Sequence, residues 1–212
     1  MMKGIFITFE GIDGAGKTTQ QRLAAQALRD RGYDVVESRE PGGTQLAESV
    51  RQLVLDASLP LTTDTQTLLY LAARSEHVDK LLRPSLAAGK IVICDRFSDS
   101  TLVYQGLAQG KSLTELDTMR QLNAFATGSL VPDLTLVFDA DPEKLLARRE
   151  QRGVNDRYEQ QGLDFQKRLR AGFLQLAKHE PQRIQLIDAA ASVDEVSKAV
   201  LAAITNVLDE GK

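Results

Sequence analysis

Short apolar runs alternate with amphipathic stretches along the whole chain. Gly4-Ile5-Phe6-Ile7-Thr8-Phe9, Asp34-Val35-Val36-Glu37-Ser38, Ile91-Val92-Ile93-Cys94, Leu134-Thr135-Leu136-Val137-Phe138 and Ile184-Gln185-Leu186-Ile187-Asp188 are brief and rich in β-branched or aromatic residues. Each is predicted as a strand. Between them, apolar residues recur at helical spacing. Leu23, Ala24, Ala27 and Leu28 predict a helix over Thr19–Arg31, with Gly32 where a C-terminal cap belongs. Leu46, Ala47, Val50, Leu53 and Val54 form a second stripe. Asp64 is expected to cap a helix running from Thr65 toward Leu82 and ended by Pro84. Further helices are expected over Ser98–Gln105, from the Ser112/Glu115 capping box through Phe125, over Pro142–Gln151 and Leu163–Lys178, and after a Ser192/Glu195 box.

Strand–helix alternation argues for a three-layer α/β fold: a five-stranded parallel sheet with helices on both faces. The polar-free run Ile91–Cys94 suits a strand covered on both sides. In such sheets ligands sit beyond the carboxyl ends of the strands. The loops at Gly11–Thr18, Arg39–Thr44 and Asp95–Phe97, and the chain from Asp188 onward, would all leave that edge. No linker or repeat interrupts the pattern, so residues 1–212 are expected to form a single domain.

Composition narrows the partners. The net charge of −3 gives no global drive toward nucleic acid, and none is expected as a partner. No apolar stretch is long enough to span a membrane, and no signal peptide is recognised at the N-terminus. The single cysteine, Cys94, excludes a disulfide within the chain, reads as a core residue, and fits a cytoplasmic location.

The first strand runs into Gly11-Ile12-Asp13-Gly14-Ala15-Gly16-Lys17-Thr18, which matches G-x-x-x-x-G-K-[ST] between a strand and a helix, the context that motif requires. The glycines let the backbone turn tightly, and its N–H groups with the following helix end form a nest for a polyphosphate. Lys17 would reach the β- and γ-phosphates, and the Thr18 hydroxyl would serve Mg²⁺. Binding of ATP or GTP is therefore expected, with Thr19 completing the set of loop contacts.

A second polar group follows the third strand. Arg96 could hold a phosphate bidentately. The helix after it carries Phe97, Ser100, Thr101, Tyr104 and Gln105 on one face, which reads as the wall of a polar pocket. One helix earlier, Tyr70 and Arg74 stand four residues apart, so a ring and a guanidinium could sandwich and read a planar base. Arg39 adds a cation at the end of the second strand. Arg148, Arg149 and Arg152 cluster near a helix end ahead of a polar segment; they could complement the helix dipole or belong to a mobile lid at about 148–160 that brings arginine onto a transferring phosphoryl group.

These residues together resemble the thymidylate kinases. Ile93-Cys94-Asp95-Arg96-Phe97-Ser98-Asp99-Ser100-Thr101-Leu102-Val103-Tyr104-Gln105-Gly106 is close to that family's signature. Arg39-Glu40-Pro41-Gly42-Gly43-Thr44 looks like its bacterial second-strand loop, and Leu69-Tyr70-Leu71-Ala72-Ala73-Arg74 like its thymine-reading helix. Pro132–Leu136 and Ile187–Ala189 match in kind and order. The resemblance extends from about Ile5 to Val200.

The resemblance implies a P-loop NTPase fold of the nucleoside monophosphate kinase kind, and the reaction of ATP with dTMP to give ADP and dTDP. It implies that Arg96 and Arg39 hold the dTMP phosphate, Tyr70 stacks on thymine, Arg74 bonds its O4, Thr101 and Gln105 read the N3 edge with Ser100 beside them, and Tyr104 lies against the deoxyribose. Asp13 would sit near the acceptor's 3′-hydroxyl or the Mg²⁺ water shell, and Thr18 and Asp95 would serve the metal. Some members carry arginine where Gly14 stands; here the catalytic arginine would come from the lid, Arg152 matching best. A homodimer packed through helices near Val50 and Leu69 is implied as well. Departures are Leu107-Ala108-Gln109-Gly110-Lys111 where many bacterial members have Gly-Arg-Gly, Tyr70 where phenylalanine is common, and Val154 and Asn155 in the lid.

Two other readings stand beside this one. A deoxynucleoside kinase would need a carboxylate base, and Glu10 and Asp95 are available, although a nucleoside would offer Arg96 and Arg39 no phosphate. A nucleotide-dependent switch or regulatory ATPase would not need the two base-reading edges.

Overall fold

The computed structural model describes residues 4–145, 158 and 161–210. Five strands, β1 (Ile5–Glu10), β2 (Val35–Arg39), β3 (Ile91–Asp95), β4 (Leu134–Asp139) and β5 (Ile184–Asp188), form one sheet in the order β2-β3-β1-β4-β5, with every pairing parallel. The order reverses beside β1, so loops on either side of it diverge and leave a crevice at the carboxyl edge.

Alternation along the central strands sends side chains to two different layers. Ile7, Phe9, Ile91 and Ile93 join a large core with Ala24 and Leu28 of α1 (Lys17–Asp30), several residues of α7 (Gly162–His179), and Val200 and Ile204 of α8 (Val193–Glu210). Phe6, Val92 and Cys94 point the other way, toward Val78, Leu82 and Phe97. The smaller cluster of Ala47, Val50, Val54 and Ala73 binds α2 (Gln45–Leu55) to α3 (Thr63–His77). Cys94 is buried and free, and burial pushes its thiol pKa up.

The predicted elements are found, with informative shifts. Thr62, not Asp64, caps α3, accepting from the Thr65 N–H at 3.2 Å, while Asp64 sits in the first turn. Pro84 does not end the helical run. A π-helical turn, Val78–Leu82, resets the ladder, and Pro84 falls in the first turn of α4 (Arg83–Ala87), where its missing N–H needs no acceptor. The helix expected over Ser98–Gln105 is a short α5 (Ser98–Thr101) followed by a second π turn, Leu102–Gly106. The Ser112/Glu115 capping box forms, opening a 3₁₀ turn (Leu113–Leu116) that leads into α6 (Asp117–Thr127). The Ser192/Glu195 box caps α8. The helix predicted from Pro142 is seen at 142–145; its remainder, with the lid residues Arg148, Arg149 and Arg152, lies outside the described residues. No helix among the described residues is long and apolar enough to cross a membrane.

Candidate active site

The phosphate-loop backbone takes the shape its glycines allow. Gly11, Gly14 and Gly16 have φ of 128°, 87° and 91°, values that side-chain-bearing residues rarely adopt. At Gly11 a Cβ would also lie 2.6 Å from the Phe138 carbonyl oxygen. Ile12 and Ala15 bury their side chains in the core, so what they can offer a ligand is backbone. Lys17 Nζ donates to the Gly11 and Ile12 carbonyls, both at 3.0 Å. Burial, then the Arg96 charge, lowers its pKa, while Asp95, Asp13 and Glu10 act the other way. Thr18 Oγ1 donates to Asp95 Oδ2 at 3.0 Å. The other Asp95 oxygen is buried and has no hydrogen-bond partner among the described residues.

Arg96 stands at the meeting of two cavities. Its backbone is left-handed, φ 73°, a conformation that costs a non-glycine residue strain and is found at functional positions. Its amide donates to the Phe9 carbonyl at 2.9 Å, which ties the turn to β1. Nη1 donates to Gly11 O at 3.0 Å and Ser100 Oγ at 3.3 Å, and Nη2 to Asp13 Oδ1 at 2.7 Å. The guanidinium lies over the Tyr104 ring, 5.0 Å from its centroid.

Glu10 explains how this turn is held. The carboxylate is fully buried. Oε1 accepts from the Phe97 and Ser100 amides at 2.8 and 3.2 Å, and Oε2 from the Ser100 hydroxyl at 2.6 Å. It therefore supplies, from β1, the cap that Phe97 does not give α5. Burial, reinforced by nearby Asp99, raises its pKa to about 7 despite the opposing Arg96 charge. On the far side of α5, Asp99 is gripped by Arg183 at 2.7 and 3.0 Å, and its Oδ2 also accepts from Thr135 Oγ1 at 3.2 Å.

One cavity, about 540 Å³, is lined by Tyr70, Arg74, Ser100, Thr101, Tyr104 and Gln105, with Tyr158 at its wall. The expected base-reading set is thus brought together. Arg74 is 2 % exposed and donates from Nε to Glu40 Oε2 at 2.7 Å, from Nη1 to Thr101 Oγ1 and Asn123 Oδ1 at 2.9 and 2.7 Å, and from Nη2 to the Phe97 carbonyl at 2.9 Å. Among the described residues, four of its five N–H groups are engaged, which leaves one on Nη2. Gln105 Nε2 donates to the Tyr158 hydroxyl at 2.8 Å, which also receives Tyr70 Oη at 3.2 Å. The Tyr104 hydroxyl is buried without a partner among the described residues.

The second cavity, about 570 Å³, is lined by Gly14, Gly16, Lys17, Thr18, Arg39 and Asp95. Asp13, Glu40, Arg51 and Arg96 line both cavities and so form the seam between them. Arg39 belongs to the second cavity; its 53 %-exposed side chain is held by Glu48 at 2.8 and 2.9 Å. Thr19, in the first turn of α1, lines neither cavity.

Five lining residues have no role in the sequence reading: Glu40, Pro41, Arg51, Leu55 and Tyr158. Arg51 had a legible signal. It stands four residues after buried Ala47 and four before cavity-lining Leu55, so it shares their ridge on α2 rather than an outer face. It donates to the Pro41 carbonyl at 3.2 Å, and burial with nearby Arg39 lowers its pKa. Glu40 lies in a loop and Tyr158 in a turn, where no periodicity marks them.

The model of the thymidylate kinase family matches residues 9–200. The chain is 45 % identical over 209 residues to the thymidylate kinase of Ectopseudomonas mendocina, covering 98 % of each. It is 50 % identical over 196 residues to that of Synechococcus sp., covering 92 % of this chain and 93 % of the relative. Among solved structures it resembles the thymidylate kinase of Ehrlichia chaffeensis with a TM-score of 0.77 at 38 % identity, over 95 % of this chain and 98 % of the other.

Proposed function

The chain belongs to the thymidylate kinase family and phosphorylates dTMP, and we propose that ATP is the donor, its phosphates lying along Gly11–Thr19, while dTMP occupies the cavity of Tyr70, Arg74 and Tyr104. The observation that carries this arrangement is the seam: Arg96, Arg51 and Asp13 line both cavities, so an acceptor phosphate and a terminal donor phosphate would meet there.

The chemistry asks for positive charge and alignment. A nucleoside monophosphate is mostly dianionic at neutral pH, since its second pKa is about 6, so its attacking oxygen needs no base. Two polyanions must nevertheless approach. Lys17 would bind the donor phosphates, Arg96 with Arg39 and Arg51 the acceptor phosphate, and Arg152, outside the described residues, the transferring group. Tyr70 would stack on the base, Arg74 would offer its remaining N–H to O4, Thr101 and Gln105 would read N3 beside Ser100, and Tyr104 would pack on the sugar.

Thr18 and Asp95 suit Mg²⁺. One hydroxyl and one carboxylate with an unsatisfied oxygen fit a cation that usually keeps waters and takes its remaining ligands from phosphate. When bound, the ion would neutralise charge on the donor phosphates.

A deoxynucleoside acceptor is not favoured. Of the two candidate bases, Glu10 is enclosed and committed to Phe97 and Ser100, and Asp95 accepts from the Thr18 hydroxyl with its other oxygen buried. We further propose a cytoplasmic homodimer. Val50 faces the core, but Leu53, Leu68 and Phe125 on α2, α3 and α6 are exposed apolar groups suited to a second copy; sedimentation tests this. The activity test is a screen of nucleosides and monophosphates with ATP and Mg²⁺, reading ADP release. Turnover with dTMP far above thymidine and the other monophosphates is expected; release without any acceptor, or preference for a nucleoside, contradicts the proposal.

A further inference from the structure

Behind Arg74 runs a chain of polar groups, buried at Glu40 and His77 and half-buried at Ser38. Glu40 Oε2 accepts from Arg74 Nε at 2.7 Å, and Glu40 Oε1 meets His77 Nδ1 at 3.0 Å. His77 Nε2 in turn lies 2.7 Å from Ser38 Oγ. His77 is 0 % exposed, and Gly43 closes over it: a Cβ at Gly43 would lie 2.7 Å from His77 Cδ2 and 2.8 Å from Ser38 Oγ. Ser38 belongs to β2 and its carbonyl accepts from Gln21 Nε2 of α1 at 2.7 Å; the Glu40 amide donates to the Asp95 carbonyl of β3 at 2.9 Å. The chain is therefore anchored to the sheet at both its serine and its glutamate.

The hydrogen-bond pattern assigns the imidazole's part. Glu40, facing the Arg74 guanidinium, is an acceptor, so Nδ1 carries a proton toward it. Nε2 shares its hydrogen bond with the Ser38 hydroxyl. His77 thereby fills the Glu40 oxygen that Arg74 leaves open. Without it, a buried carboxylate oxygen would lack a donor, and Glu40 could turn only by releasing Arg74 Nε.

We propose that His77 is a positioning residue for the acceptor: through Glu40 it fixes the plane of the Arg74 guanidinium, so that the one uncommitted N–H of Arg74 meets a carbonyl oxygen at pyrimidine position 4. The inference rests on the reading of Arg74 as the contact to O4. A fixed donor donates well to a carbonyl oxygen and opposes an exocyclic amine, which presents a donor of its own. Precision in this relay therefore sets preference for dTMP over dCMP.

Steady-state kinetics of His77→Leu, His77→Asn, Ser38→Ala and Arg74→Gln, each checked for folding by its thermal midpoint, test this. His77→Leu is expected to raise KM for dTMP and lower the dTMP-to-dCMP ratio of kcat/KM by about ten-fold each, the scale of one hydrogen bond to a charged group. KM for ATP and kcat should stay within about two-fold, a split that general loosening of the fold does not give. His77→Asn, whose amide can stand where Nδ1 does, should recover most of the loss. If His77→Leu does not accumulate folded, Ser38→Ala decides: a shift of about three-fold in the same two quantities supports the relay, and no shift overturns it. An unchanged dTMP KM and ratio in folded His77→Leu, with Arg74→Gln altering the ratio, rejects the relay and leaves Arg74 as base reader. An unchanged ratio in Arg74→Gln as well rejects both.

Discussion

Asp13 of the phosphate loop and Arg96 of the β3–α5 turn are joined by a 2.7 Å ion pair across the seam of the two cavities. A donor-side carboxylate thus orients the cation proposed to receive the acceptor phosphate. Removing that carboxylate's charge frees Arg96 from a competing anion while disturbing its aim. Asp13→Asn is expected to keep dTMP affinity within about three-fold and to lower kcat by at least about ten-fold. Calorimetry and initial rates check this; equal losses in affinity and turnover would contradict it.

Glu10 yields a pH prediction with a definite sign. Its carboxyl titrates at about 7 in the folded protein against 4.5 unfolded. Its stabilising contribution is full below pH 4.5, where both states are protonated, and is lost as the pH rises through 7, because the folded state holds the proton more tightly. The change amounts to about 3 kcal/mol at roughly 1.4 kcal/mol per unit. Glu10→Gln cannot ionise and keeps a carbonyl acceptor. Relative to the parent, the variant should gain stability between pH 4.5 and pH 7.5 in denaturant titrations; a pH-independent difference would contradict the assignment.

Tyr104 is buried at the acceptor cavity with a hydroxyl unpartnered among the described residues and a ring already under Arg96. Replacing it with alanine should lower preference for dTMP over its ribose analogue by about ten-fold or more, because the ring would no longer exclude a 2′-hydroxyl. Competition assays with the two nucleotides measure the ratio, and an unmoved ratio removes Tyr104 from the sugar site.

Gly14 offers no guanidinium at the loop, so Arg152 is proposed to supply it. Arg152→Ala should reduce kcat by roughly a hundred-fold or more while changing KM for dTMP by less than about three-fold, since the contact would form chiefly in the transition state. An unaltered kcat in rapid-quench and steady-state measurements would contradict this role.

How much of this was legible beforehand follows from the kind of signal each residue carries. Strands declared themselves by β-branched runs, and the loop Gly11–Thr18 by fixed spacing between a strand and a helix. Ser100, Thr101, Tyr104 and Gln105 could be grouped because helical periodicity survives the π turn at Leu102–Gly106. The turn itself was not legible, since a single i→i+5 widening leaves no mark on a stripe this short. Pro84 misled for a related reason: proline breaks a continuous ladder, and the ladder here had already been reset. Asp64 and Thr62 are both good caps, and local preference alone does not choose between them. Glu40, His77 and Ser38 interact across 39 residues of sequence, from Ser38 to His77, so only the fold reveals them. Charge also misleads. Arg74, expected to read a base, and Glu40, given no role, prove to be a buried pair, while Arg39 lies half-exposed against Glu48.

The seam at Arg96 is proposed to receive the dTMP phosphate while the loop holds ATP separately. Calorimetric titration of the parent and Arg96→Ala with each nucleotide tests it most directly. Loss of a charge-assisted phosphate contact should weaken dTMP about 10- to 150-fold, corresponding to roughly 1.5–3 kcal/mol, and leave ATP within about two-fold. Equal weakening of both nucleotides, or unchanged dTMP affinity, would contradict it.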